Sequence, residues 1–146
     1  MMSKKNNVYN STPRLISVAE RVFSSKLQKK LIENNIDITV EQWRILFYLW
    51  QKDGINQQEL ARRAKKEKST ITRKINAIEK KGLIVRKSLL EDKRNKLIFL
   101  TEKGIKIKHQ ALEIAHSITM KAEQNIPSEH IKILKDTINK IMKNLE

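Results

Sequence analysis

The chain has no cysteine, only three glycines and only two prolines in 146 residues. Without cysteine there are no disulfides, no thiolate nucleophile, no thiol redox sensor and no cysteine-type zinc site. So few backbone breakers argue against a loop-rich sandwich and against a glycine-rich nucleotide cradle, and they predict a mostly helical chain. Long apolar runs are missing too. The longest, Ile45-Leu46-Phe47-Tyr48-Leu49-Trp50, is far short of a membrane span. No apolar leader follows Met1, because Ser3-Lys4-Lys5-Asn6-Asn7 is polar, so the expected compartment is the cytoplasm. Acids are scarce relative to bases: 16 Asp and Glu stand against 31 Lys and Arg, a net charge of +15. Folding does not require such an imbalance and is mildly opposed by it. The charge therefore speaks of partners: nucleic acid first, an anionic membrane surface or acidic protein second.

What is present is helical periodicity. Pro13 suits the opening of a helix, and Leu15, Ile16, Ala19, Val22, Phe23, Leu27 and Leu31 follow at mostly three- and four-residue steps until Asn34-Asn35. Thr39-Val40-Glu41-Gln42 has the spacing of a capping box. The helix it opens is apolar on nearly all sides and is expected to be buried; Asp53-Gly54 stops it. Ile55 could add a short strand. Asn56 suits the N-cap of a short helix containing Leu60, Ala61 and Ala64. After the polar turn Lys65-Lys66-Glu67-Lys68, a further helix shows Ile71, Ile75 and Ile78 on one face and leaves at Gly82, a residue suited to the left-handed position past a helix end. Residues 83–87 and 96–100 read as strands around the charged tip 90–95. Thr101 can cap a long helix that Ile126-Pro127 breaks, and Ser128 can cap a last one.

Two short helices joined by a turn, the second with a free polar face, form a helix-turn-helix, which places its second helix in the DNA major groove. The hairpin behind it adds a wing. Charge placement is an independent test. Residues 62–96 carry fourteen Lys or Arg against four acids, a local excess of +10 out of +15 in under a quarter of the chain. Phosphate neutralisation with counterion release accounts for that concentration.

If Ile71 and Ile75 point inward, Ser69, Thr70, Thr72, Arg73 and Asn76 take outward or flanking positions. Ser and Thr hydroxyls can contact phosphate or bases, a Thr methyl can meet the thymine methyl, and Arg can read guanine through two hydrogen bonds. Lys66, Lys68, Lys74, Arg86 and Lys93 complete the basic set. Arg94 on the hairpin tip can enter the narrow, negative minor groove, and Asp92 could hold its guanidinium in place before DNA arrives. The plain alternatives are that Ser69 and Thr70 are only helix caps, that Arg73 is only solvated, and that Asp92 and Arg94 are an exposed ion pair of little energetic consequence.

In order along the chain, Thr39-Val40-Glu41-Gln42-Trp43-Arg44-Ile45-Leu46, Gln58-Glu59-Leu60-Ala61, Lys68-Ser69-Thr70-Ile71-Thr72-Arg73, Ile78-Glu79-Lys80-Lys81-Gly82-Leu83-Ile84 and Asp92-Lys93-Arg94-Asn95-Lys96 resemble the MarR family of bacterial regulators. The resemblance runs over about residues 12–146. Lys93 stands where the family often has a second Arg, which keeps a charge for phosphate but not a planar fork. The resemblance implies a homodimer whose first and last two helices interleave. The apolar stripes of those helices, too long for one small lobe to cover, agree. The expected fold is therefore mainly α (α+β): an arm and dimerisation helix over 1–36, a winged helix-turn-helix lobe with a two-stranded wing over 37–100, and dimerisation helices over 101–146. The expected function is a dimeric, sequence-specific transcriptional regulator, in the role of a repressor, on a pseudo-palindromic duplex site.

The family resemblance also implies a small organic effector bound between the dimer helices and the lobe. Phe23, Trp43, Phe47, Tyr48 and Trp50 could line such a crevice, but aromatics at helical spacing are more often core, so no ligand residue is assigned. His109, Glu113 and His116 share one helix face as a candidate metal trio; solvated helix residues are the default reading, and no metal or other cofactor is expected. A non-specific nucleic-acid-binding helical protein is the alternative function, although residues 56–96 contain no aromatic on which single-stranded bases could stack. An enzyme is disfavoured: no paired carboxylates, nucleophile elbow or phosphate-binding glycine motif is present.

Overall fold

A computed structural model describes residues 8–89, 91–92 and 94–146. Its elements are α1 (Thr12–Glu33), α2 (Val40–Gln51), β1 (Ile55–Asn56), α3 (Gln57–Ala64), α4 (Lys68–Lys80), β2 (Ile84–Ser88), β3 (Lys96–Leu100), α5 (Glu102–Lys106), α6 (Lys108–Ala122) and α7 (Ser128–Leu145).

The caps act largely where the sequence puts them. Thr39 Oγ1 accepts from the Gln42 N–H at 3.1 Å while Gln42 Oε1 accepts from the Thr39 N–H at 3.1 Å, a closed capping box. Asn56 accepts from the Glu59 N–H at 2.7 Å to start α3, and Thr101 accepts from the Gly104 N–H at 3.1 Å to start α5. Gly54 stops α2 with φ +68°, a conformation costly for any residue with a Cβ.

One core joins α1 to α4 and the sheet. Leu31, Leu46, Leu49, Leu60, Ile71, Ile75, Ile78, Ile84 and Ile98 are fully buried in it. The α4 stripe supplies three of these, and that one face fixes the roll of the helix.

The strand that Ile55 could add is present: among the described residues β1 pairs antiparallel with β3, in the order β1-β3-β2. Ile55 opposes the buried Ile98, which ties the end of α2 to the root of the wing. Two other expectations change. The helix expected from Thr101 is two, α5 and α6, with Ile107 between them. Gly104 is the residue α5 needs at its centre, because its backbone lies so close to that of Leu83 that a Cβ would stand 2.2 Å from the Leu83 carbonyl oxygen. Finally, Ser128 is not a cap. It is the first residue of α7, the N-cap position is Pro127, and no side chain caps that end.

Candidate nucleic-acid interface

The helix-turn-helix is built outward from two anchored ends. Asn56 fixes the start of α3. Lys65, with φ +51°, turns the chain after it, its N–H bonded to the Ala61 and Arg62 carbonyls. Glu59 accepts from Arg62 Nη2 at 2.7 Å and Arg63 Nε at 2.9 Å, so both guanidiniums hang from one carboxylate. Hydrogen bonds from Arg62 and then Arg63 hold the Glu59 carboxyl down at about 2, from an ordinary 4.5.

Against the inward Ile71, Ile75 and Ile78, the opposite face of α4 and the turn before it expose Lys66, Lys68, Ser69, Arg73 and Asn76. Thr70 and Thr72 are half-buried. Ser69 and Thr70 are not the N-cap of α4; Glu67 holds that position, with no side-chain hydrogen bond. The Thr72 hydroxyl donates to the Lys68 carbonyl at 2.8 Å and accepts from the Gln57 amide, which links α3 to α4.

Besides Thr72, three of the expected residues, Lys74, Asn76 and Arg86, bond to other side chains of the protein. Lys74 Nζ lies 2.6 Å from Glu41 Oε2 on α2. Arg86, at the root of the wing, donates to Asn76 Oδ1 at 2.8 Å and Glu79 Oε1 at 2.9 Å. These contacts lock β2 to the last turns of α4 and set how far the wing stands from the helix. The Arg86 hydrogen bond keeps the Glu79 carboxyl below its ordinary value, and the Lys74 hydrogen bond does the same for Glu41.

At the wing tip Arg94 is exposed. Asp92 does not clasp its guanidinium: Asp92 Oδ1 accepts from the Arg94 backbone N–H at 3.0 Å. A carboxylate two residues back reaches the turn N–H more readily than a long side chain on the same tip. Asp92 thus shapes the turn that presents Arg94. Lys93 lies outside the described residues.

Sequence reasoning missed the carboxylates that organise this face. Glu79 and Arg86 flank Gly82 seven residues apart, a charge complementarity visible in the sequence. Glu41 and Lys74 are 33 residues apart, a separation no local pattern reports.

Trp43, Phe47 and Trp50 sit together on α2, Trp43 stacking on Phe47 at 5.3 Å and meeting Trp50 edge-on at 6.2 Å. Trp43 Nε1 donates to the Ala111 carbonyl at 3.2 Å, which fastens the lobe to α6. Phe23 lies apart from them, in a groove of about 980 Å³ between α1 and α6 with Val18, Val22 and Ile118. On α6, His109 Nε2 is 3.6 Å from Glu113 Oε2 and both side chains are exposed. Among the described residues no three His, Asp or Glu side chains converge as metal ligands would, and no helix is long and apolar enough to cross a membrane.

The MarR family model matches residues 38–96. The chain is 30% identical over 118 residues, 81% of its length and 79% of the relative's, to the organic hydroperoxide resistance transcriptional regulator of Bacillus subtilis (strain 168). Its fold is similar to that of MepR of S. aureus in complex with DNA, with a TM-score of 0.84, 27% identity, and coverage of 93% of this chain and 98% of that one. It is similar as well to a MarR family regulator from Listeria monocytogenes complexed with a 26mer DNA, with a TM-score of 0.83, 28% identity, and coverage of 92% and 89%.

Proposed function

The chain belongs to the MarR family of DNA-binding, winged helix-turn-helix transcriptional regulators, and we propose that it acts as a homodimeric repressor that recognises a pseudo-palindromic duplex. The observation that carries this reading is the two-sided α4. Its apolar stripe is fully buried, and the opposite face exposes Lys68, Ser69, Arg73 and Asn76. Structures of two relatives at 27% and 28% identity contain DNA, which supports the same use here.

In this reading α4 enters the major groove. Arg73 reads a base edge, and Ser69, Thr70, Thr72 and Asn76 supply hydroxyl and amide contacts. Lys66 and Lys68 neutralise phosphates beside the helix N-terminus. Lys74 and Arg86 contribute from their carboxylate pairs, Lys93 adds phosphate contact, and Arg94 enters the minor groove.

Residues 37–100 form the DNA-binding lobe; 1–36 and 101–146 form the dimerisation part. Leu15, Ile16, Val22 and Phe23 on α1 and Ile133, Leu134, Met142 and Leu145 on α7 are exposed in the single chain, and α7 buries none of its residues. Covering that surface with a second copy sets two α4 helices about one DNA turn, roughly 34 Å, apart. Occupancy of a promoter then suffices to exclude polymerase. A small organic effector that binds better at another lobe spacing releases the duplex. The protein is a cytoplasmic binding protein rather than an enzyme.

Selection of bound duplexes from a random library, followed by anisotropy titration of the enriched sequence, tests the proposal. A two-fold symmetric consensus bound far more tightly than scrambled duplex at fixed salt is the expected outcome. Equal affinity for all duplexes would instead establish the non-specific nucleic-acid binder.

A further inference from the structure

Two elements that belong to different parts of the molecule meet through one exposed carboxylate. Glu41, in the first turn of α2, accepts from Lys74 Nζ of α4 at 2.6 Å through Oε2 and from Arg44 Nη1 at 2.6 Å through Oε1. Arg44 continues to α1: its Nη2 donates to Ser24 Oγ at 2.6 Å and to the Glu20 carboxylate, which the Ser24 hydroxyl also reaches. The chain Lys74–Glu41–Arg44–Glu20 therefore runs from α4 to the long N-terminal helix α1 without a gap.

The chemistry of this cluster is that of an anion site already filled. Lys74 and Arg44 converge on Glu41 in the first turn of α2, where helix N–H groups favour negative charge. Glu41 occupies that place. A DNA phosphate approaching α4 has to compete with it for Lys74. The pair is not sealed from solvent, since the Glu41 side chain is 49% exposed, so the competition takes place in water and is reversible.

We propose that Glu41 is a built-in competitor for the DNA backbone: it withholds Lys74 from phosphate, and Arg44 together with Glu20 on α1 sets how strongly it does so. Glu41 is a positioning residue in this scheme, since it touches no DNA. The gain is a DNA affinity adjustable from the dimerisation helix. When Glu20 engages Arg44, Glu41 turns more fully to Lys74; when Glu20 lets go, Arg44 draws Glu41 away and Lys74 is freed. The inference rests on the reading that α4 meets DNA.

The test is duplex binding against salt for wild type, Glu41→Gln, Glu20→Gln and Glu41→Gln/Lys74→Ala, with Glu33→Gln as the charge control. Glu33 lies on α1 too, but its partner is Lys30 at 3.7 Å, outside the relay. E41Q is expected to raise affinity roughly three- to tenfold and steepen the log–log salt slope by ~0.9, one additional phosphate. E20Q is expected to raise affinity less, and the further double variant Glu20→Gln/Glu41→Gln to bind no more tightly than E41Q alone. Adding K74A to E41Q removes the gain. E41Q and E20Q responses no larger than that of E33Q would overturn the relay. So would a fall in E41Q affinity at an unchanged melting temperature. A wild type that binds no duplex at all overturns the DNA reading beneath it, which separates the two failures.

Discussion

The Trp50 indole N–H donates to the Gly104 carbonyl across 3.1 Å, and both residues are buried. This bond joins the end of α2, which backs the recognition helix, to the start of the C-terminal helices. The junction is tight because Gly104 lies against the Leu83 backbone, whose carbonyl also accepts from the Thr101 N–H at 3.0 Å.

Gly104→Ala is therefore expected to destabilise the protein. The added methyl meets a carbonyl oxygen at 2.2 Å, and a backbone oxygen held by another hydrogen bond cannot swing aside as a side chain would. Overpacking of this kind costs about 1–3 kcal/mol and should lower Tm by roughly 3–10 °C. Thermal melts read it; an unchanged Tm would mean that α5 shifts freely. Below the transition, duplex affinity should be that of the wild type.

How much of this was legible in the sequence depends on the range of each interaction. The Thr39–Gln42 box, the Asn56 and Thr101 caps and the Ile71, Ile75, Ile78 stripe all lie within one or two helical turns, and each was readable. The wing was readable from two β-rich segments around a polar tip. The α5–α6 break was not, because Ile105 and Ile107 continue a helical pattern across it; nor was the close approach of Gly104 to the Leu83 backbone, 21 residues away. The exposed candidates Arg73 and Arg94 follow directly from periodicity and turn chemistry. The clasping of Lys74 by Glu41, 33 residues away, required the tertiary fold, whereas Glu79 and Arg86 lie seven residues apart and left a signal in the sequence.

Recognition and folding should separate on α4. Ile75→Ala empties part of a fully buried site and is expected to cost about 2–5 kcal/mol. Arg73→Ala, on the exposed face, should leave the denaturation midpoint within about 0.5 kcal/mol of wild type while costing roughly 1–3 kcal/mol of duplex affinity and relaxing the preference at one base pair. A loss that is equal on all sequences would make Arg73 a phosphate contact instead.

Arg94→Ala should weaken duplex binding with no change in unfolding, because the side chain is exposed and the turn is shaped by Asp92 through the backbone N–H. Asp92→Ala should act in the same direction by loosening the turn. Anisotropy titrations on an A·T-flanked and a G·C-flanked site distinguish the groove: a deficit confined to the A·T-flanked site marks minor-groove entry, since a narrow A-tract groove attracts Arg most strongly.

Acid should loosen the helix-turn-helix before it reaches the hydrophobic core. Glu59, Glu79 and Glu41 each have folded-state values depressed by a cationic hydrogen-bond donor. For a depressed carboxylate the contribution is complete above the unfolded value, here 4.5, and is lost as pH falls through the folded value, about 2 for Glu59. Stability should therefore fall between pH 4.5 and about 2. The dependence should flatten in Glu59→Gln. Chemical denaturation at several pH values reads the slope; the effect is small per group because these pairs face water.

The exposed stripe of α7 yields the prediction on assembly. Leu134 is 53% and Met142 43% exposed in the single chain, and α7 buries no residue of its own. A monomer would leave that row of apolar groups in water, at about 25 cal/mol for each Å². Leu134→Glu places a charge in the middle of the row. Such a charge is tolerated in a monomer and costly in a dimer, where it is desolvated without a partner. Light scattering should find the wild type at twice the chain mass and L134E at the chain mass, with helicity largely kept. Because two α4 helices act on one duplex only when the lobes are joined, L134E should also lose most of its preference for a symmetric site over a half-site. A wild type that elutes as a monomer, or an L134E variant that remains dimeric with full preference, would place the dimer contact elsewhere than on α7.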